Sequence, residues 1–250
     1  MEAWRIAVTV AGAFVAGYLG SALGLVLGTL RLPILIVAAG SASSGAGTNI
    51  AISAAAAAAG GYRHAREGRV NWRVVAWMAP PSIAGAVVGG LFADRLSERI
   101  LFAGVAVILL WQGFDLALRP FVRAAEGKPR YSPAVVFGFA IGVVGGALGV
   151  ILGTLRMPAL LRVVRVDVKT AIGTNLVVGF LLGVAGFAAH AAELDVDWVL
   201  LPVGIAGALP GAWLGARATG YLSETFLRRA IGVVLIAVAV AFAVQAGLRS

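Results

Sequence analysis

Long uncharged, apolar runs follow one another along the chain with only short charged interruptions. They are Ile6–Leu30, Leu32–Tyr62, Val74–Ala93, Ile100–Phe114, Tyr131–Leu155, Thr170–Ala192, Trp198–Ala216 and Ala230–Leu248. A helix needs about 20 residues to cross ~30 Å of hydrocarbon, and most of these runs are long enough. None alternates apolar and polar with a period of two, so the pattern does not indicate a membrane β-barrel. It predicts an all-α, polytopic membrane protein with about eight long hydrophobic elements. Met1–Arg5 followed by an apolar run has the look of a signal peptide. The run is too long for an h-region and leads into further spans, so it is read as retained.

Composition narrows the picture. Of 250 residues, 60% are hydrophobic and only 12% charged, against roughly 25% charged in a soluble domain. Too few polar groups remain to cover a soluble surface. The chain has no cysteine, which removes disulfides, thiolate metal sites and cysteine nucleophiles. The net charge of +9 would suggest nucleic acid in a soluble protein. Here most cations sit in short loops, where they read as topology signals, and no nucleic-acid partner is expected.

The chain also repeats itself. Gly17–Pro33 (GYLGSALGLVLGTLRLP) and Gly142–Pro158 (GVVGGALGVILGTLRMP) agree at 11 of 17 positions, at an offset of 125. At an offset of 126, Gly47-Thr48-Asn49 matches Gly173-Thr174-Asn175, Trp72 matches Trp198, Gly85 and Gly89 match Gly211 and Gly215, and Ser97-Glu98 matches Ser223-Glu224. The expected organisation is a first membrane repeat over 1–118, a polar cytoplasmic linker over 119–132 and a second repeat over 133–250. Each half would hold four to five helices, some broken or re-entrant. Equivalent loops differ in charge: Arg63–Arg73 is net +3 and His190–Asp197 net −3, whereas Asp94–Arg99 is neutral and Arg217–Arg229 net +2. Under the positive-inside rule this favours inverted repeats. A parallel arrangement of four spans plus four is the competing reading.

Within each half the glycine-rich helix is expected to end at Gly28 or Gly153. A break would follow over Thr-Leu-Arg, then a short helix opening at Pro33 or Pro158, since proline suits a first helical turn. A further helix should open near Thr48 or Thr174. Non-helical backbone at membrane depth survives only inside protein or beside a water-filled cavity, so the breaks are where a site is expected. Internal repeats with sites between the halves are common in secondary transporters.

Arg31 and Arg156 are the leading candidates. Arg31 is the only charge between Arg5 and Arg63, and Arg156 is its repeat mate in the same GTLR-x-P setting. A guanidinium at the membrane centre is costly. Either each snorkels or binds backbone carbonyls, or both face a shared cavity and hold an anion through forked, permanently charged donors. Thr29 and Thr154 lie beside them and would add hydroxyls, unless these bond to carbonyls at the break. Thr48, Asn49, Thr174 and Asn175 would cap helix starts, or would present N–H groups and the helix dipole to an anion. The glycines of the repeated motif read as helix-packing positions rather than a phosphate loop, and there is no Walker sequence. Two histidines, His64 in a basic loop and His190 near an acidic one, make a metal site improbable, and no cofactor is expected. Asp115 is expected to pair with Arg119, one turn later. Gln112 and Asn71 are lone polar residues without a pattern. Trp4, Trp72, Trp77, Trp198 and Tyr221 fit an interfacial aromatic belt.

These features in their order, twice over, resemble the TauE/SafE family, the sulfite exporter or toluene-sulfonate-uptake-like permeases. The resemblance rests on GALGVILGTLRMP, the GTN about 15 residues on, Val196-Asp197-Trp198, GALPGAWLGARAT and the final L-S-E-x-x-L segment. Each break here carries an arginine where relatives often carry glycines. The resemblance implies a multi-pass permease for sulfur-containing anions such as sulfite, sulfonates or sulfoacetate, usually in a bacterial inner membrane. An inside-negative potential drives anions outward by about 2.3 kcal/mol per charge per 100 mV, and the spans hold almost no acids for coupling, so export is expected. The competing readings are an anion channel and a proton-coupled uptake carrier. No nucleophile–base pair suggests an enzyme. The expected partners are a small anion and the lipid bilayer, with a homodimer compatible with the sequence.

Overall fold

The computed structural model describes residues 3–91, 98–118, 130–148, 151–192 and 196–248. All of its regular elements are helical. In order they are α1 (Ala3–Leu23), α2 (Gly28–Ala39), α3 (Ala42–Arg66), α4 (Trp72–Leu91), α5 (Glu98–Leu118), α6 (Ser132–Leu148), α7 (Gly153–Pro158) with a following π-helical turn (Ala159–Val164), α8 (Val168–Ala192), α9 (Leu200–Tyr221) and α10 (Glu224–Leu248). Among the described residues three helices are long and apolar enough to cross a membrane by themselves, Ala3–Leu23, Val168–Ala188 and Glu224–Val244. Ala103–Leu118 and Ser132–Ala147 are shorter apolar helices. The protein is therefore an all-helical, multi-pass membrane protein, as the hydropathy pattern predicts. Most of the linker (residues 119–129) and the acids Glu193 and Asp195 lie outside the described residues.

The sequence offsets carry over to the elements. Gly28–Ala39 shifted by 125 covers α7 and the π turn, and Ala42–Arg66 shifted by 126 coincides with α8. The principal helix pairs respect the same shift: α1 packs on α9 as α6 packs on α4, while α3 meets α8 and α5 meets α10. The first two pairs run parallel, because Val10, Phe14 and Tyr18 face Gly207, Gly211 and Gly215 in rising order, and Met78, Ser82 and Ala86 face Gly138, Gly142 and Gly146. The other two run antiparallel. As α3 proceeds from Ile50 through Ala54 and Gly60 to His64, its neighbours on α8 retreat from Gly186 through Gly183 and Leu176 to Gly173. Gly113 and Ala117 of α5 likewise face Ile236 and Gly232 of α10.

The glycines do the packing work expected of small residues in lipid, where close backbone approach replaces the hydrophobic drive. A Cβ at Gly207, Gly211 or Gly215 would run into the carbonyl oxygens of Val10, Phe14 and Tyr18. At Gly17, a Cβ would lie 2.7 Å from the carbonyl of Ala208.

Two expectations about helix ends need correction. The break precedes the Thr-Leu-Arg triplet: α1 stops at Leu23, residues 24–27 form the break, and Gly28 to Arg31 already belong to α2. Gly24 turns the chain with φ +68, a conformation open to glycine, and Leu25 N–H donates back to Gly20 O at 2.8 Å. Thr48 and Thr174 do not open helices either. α3 starts at Ala42, capped by Ser41, whose hydroxyl accepts from Ser44 N–H at 3.5 Å. Asp167 accepts from Thr170 N–H at 2.9 Å at the start of α8.

The two threonines serve the opposite half instead. Thr48 Oγ1 accepts the Asp197 N–H at 2.8 Å, and Thr174 Oγ1 accepts the Asn71 N–H at 2.9 Å. Asp197 and Asn71 are themselves caps: Asp197 Oδ1 accepts from Leu200 N–H at 2.9 Å and Asn71 Oδ1 from Val74 N–H at 3.1 Å. Asn71 is thus no stray polar residue but the 126-shifted counterpart of Asp197. Thr174→Val keeps the shape and removes the acceptor. It should lower stability by about 1 kcal/mol, in the range found for bonds between membrane helices. Thermal unfolding in detergent would show this, and an unchanged midpoint would refute it.

Candidate functional site

The breaks bring the candidate residues together in two matched clusters. In the first, Arg31 is 2% exposed. Its Nε donates to Asn49 Oδ1 at 3.1 Å, and its Nη2 donates to Asn49 O at 3.1 Å and Ser53 Oγ at 2.8 Å. The Asn49 amide then donates from Nδ2 to Gly28 O at 3.0 Å. In the second cluster, Arg156 is 1% exposed. Its Nε donates to Asn175 Oδ1 at 2.8 Å, and Asn175 Nδ2 donates to Gly153 O at 2.8 Å and to Gly24 O at 2.7 Å. The local logic is the same in both. A helix turn places the arginine three residues beyond the glycine, and the asparagine amide links that glycine's carbonyl to the guanidinium.

Asn175 does one thing more. Gly24 belongs to the first break and Gly153 opens α7, so one side-chain amide joins the two breaks. Asn49 and Asn175 therefore act as bridging groups within α3 and α8 rather than as caps. Every partner that the described residues give Arg31 and Arg156 is neutral, so no described residue balances either guanidinium charge. Ser53 and Gly28 line a small recess with Arg31, together with Val26, Leu27 and Leu176; it opens outward and its interior measures about 20 Å³, room for a water-sized group. Arg156 is not among its lining residues.

Thr154 is buried beside Arg156. Thr29 lies in α2, but its side chain falls outside the described residues. Ser53 went unremarked in the sequence, although it sits one helical turn beyond Asn49 and so shares its face. Asp115 forms an ion pair with Arg162 in the π turn, and the expected partner Arg119 lies outside the described residues. His64 is fully buried in the last turn of α3, its Nε2 3.2 Å from Ser21 O; the side chain of His190 is outside the described residues. In the loop after α3, Arg69 pairs with Glu67 and donates from Nη2 to Ala216 O at 3.0 Å. Burial lowers the pKa of its guanidinium, and Glu67 opposes that shift. No group of His, Cys, Asp and Glu among the described residues could hold a metal ion.

The family model described as "Sulfite exporter TauE/SafE" matches residues 9–242, nearly the whole chain. The chain belongs to the TauE/SafE family. Among TauE/SafE relatives, the chain is 25% identical over 179 residues to the "Probable membrane transporter protein YdhB" of Bacillus subtilis (strain 168), covering 69% of this chain and 73% of the relative. It is 29% identical over 193 residues to a "Probable membrane transporter protein" of Haemophilus influenzae, covering 71% and 72%. A protein of the same description from Xylella fastidiosa (strain 9a5c) is 27% identical over 185 residues, covering 71% and 70%. No solved structure matches the chain. Membership in TauE/SafE, with these relatives, identifies the protein as a membrane transporter.

Proposed function

We propose that this TauE/SafE transporter exports a small sulfur-containing anion of the sulfite, sulfonate or sulfoacetate class across a bacterial inner membrane, using Arg31 and Arg156 as its anion donors. The observation that carries the reading is the pair of buried guanidinium groups whose partners among the described residues are all neutral. A charge held in a low-dielectric interior without a counter-charge is expensive. A small oxyanion would supply the missing charge, and a guanidinium fork suits its oxygens. Membership in a family described as sulfite exporters supports the sulfur chemistry. Thr29, Thr154, Thr48, Asn49, Thr174 and Asn175 complete the proposed substrate-binding set, the asparagines by holding the guanidinium groups in place.

The architecture in this reading is a pair of inverted repeats, 1–118 and 133–250, joined by a cytoplasmic linker. Antiparallel pairing of the shift-related helices α3 with α8 and α5 with α10 supports inversion, since parallel repeats would leave such helices running the same way. Export follows from the membrane potential, which drives an anion outward. Asp115, the acid within the spans that could have carried a coupling proton, is engaged with Arg162.

Purified protein should gain several degrees of thermal stability with sulfite, methanesulfonate or sulfoacetate, because a ligand that binds only the folded state stabilises it by mass action. Arg31→Ala and Arg156→Ala should greatly weaken that response. In proteoliposomes, flux should rise with an imposed potential, negative on the side the anion leaves. Flux that requires an inward proton gradient and ignores potential would overturn the export assignment.

A further inference from the structure

The two arginine clusters share their Arg, Asn and Gly residues but differ at one neighbouring side chain and in the bonds of each guanidinium. Shifting Ser53 by 126 gives Gly179. In the first cluster Arg31 Nη2 has two acceptors, Asn49 O at 3.1 Å and Ser53 Oγ at 2.8 Å, so both of its N–H groups are engaged. In the second, Gly179 offers no hydroxyl, and Arg156 Nη2 is buried with no protein hydrogen-bond partner. Buried charged donors left unsatisfied are costly, and native structures place an acceptor on nearly all of them.

The surroundings show where that acceptor would come from. A Cβ built on Gly179 would lie 3.3 Å from Arg156 Nη2 and 2.7 Å from Val26 Cγ2. Val26 in turn lines the recess, as does Leu176, one turn before Gly179 on α8. The unpartnered donor therefore borders the recess across a single valine side chain. A side chain at residue 179 would press on both Val26 and this donor.

Building on the proposed transport of a small anion, we infer that the two arginines have unequal roles. Both arginines supply charge to the anion, but Arg156 adds a spare Nη2 donor for a small oxyanion, whereas the Nη2 of Arg31 is already engaged by Asn49 and Ser53. Ser53 at one site and Gly179 at the other mark this difference, and Val26 stands between the spare donor and the recess, so it must move for a ligand to reach that donor. The class of ligand is an oxyanion that presents an oxygen to one guanidinium nitrogen, with sulfite and methanesulfonate as probes.

Calorimetric titration of sulfite and methanesulfonate into detergent-solubilised protein tests this. The variants are Gly179→Ser and Gly179→Ala, each in a Val26→Ala background that makes room for the new Cβ, with Val26→Ala alone as reference, and Ser53→Ala. A single elution peak and a cooperative melt without ligand establish folding, and the alanine variant at 179 serves if the serine variant does not fold. Both changes at 179 should weaken binding at least tenfold against the reference, while Ser53→Ala stays within threefold of wild type. Undiminished binding with residue 179 filled, or loss of binding in Ser53→Ala alone, would overturn the inference while leaving anion transport standing. Wild type that binds neither probe would remove the anion reading, and the inference with it.

Discussion

Asn175→Leu is expected to be the most destabilising single change at the site. Leucine has the same branched shape and number of side-chain heavy atoms, so the side chain's outline is largely kept, but three buried groups lose their partner at once: Arg156 Nε, Gly153 O and Gly24 O. Each stranded group costs roughly 1–3 kcal/mol, and the charged one lies at the upper end. Even with partial relaxation the total should reach about 4 kcal/mol. For a chain of this size that corresponds to a fall in melting midpoint of about 8–16 °C. Asn49→Leu should cost less, because Asn49 donates to one carbonyl, Gly28 O, and its own backbone oxygen would still accept from Arg31. The comparison is decisive: equal melting midpoints for the two variants would mean that the bond to Gly24 contributes nothing.

Gly211→Leu should be nearly as damaging by a different route. The residue sits at the centre of the seam between α1 and α9, where a Cβ would strike the carbonyl of Phe14. The neighbouring atoms are backbone, which cannot swing aside, so the helices must separate. Overpacking typically costs 1–3 kcal/mol and occasionally more; here, with two further glycines in the same row, about 3 kcal/mol or more is expected. Gly104→Leu is the control, since nothing lies within 4 Å of a Cβ there and leucine is a better helix former than glycine. Size-exclusion profiles and melting curves should show Gly211→Leu aggregated or strongly destabilised and Gly104→Leu close to wild type. A well-behaved Gly211→Leu would refute the close approach of α1 and α9.

Much of the architecture was legible because its signals are local or periodic. Run lengths gave the helices, and the offsets of 125 and 126 gave the correspondence between α3 and α8 before either had been located. The repeated glycines correctly marked packing; the repeated Arg and Asn residues lie together in the fold, although the link between them is not visible in the sequence. What escaped depends on contacts distant in sequence. The prolines suggest a helix start and with it a break at Thr-Leu-Arg. Its actual position is set by the left-handed turn at Gly24 and by Asn175, 151 residues away, holding the Gly24 carbonyl. Thr48 and Thr174 looked like caps because hydroxyls favour helix starts. They are acceptors for caps on helices of the other half, which no local rule detects. The difference between Ser53 and Gly179 was present in the sequence but had no meaning until the guanidinium beside each was located.

The reciprocal bonds from Asp197 to Thr48 and from Asn71 to Thr174 make the two halves mutually obligate. Each half carries the hydroxyl that its sibling requires and lacks the one it requires itself. A half standing alone would still cap these helices through Asn71 or Asp197, but the cap residue's own N–H would find its hydroxyl acceptor only on a second copy.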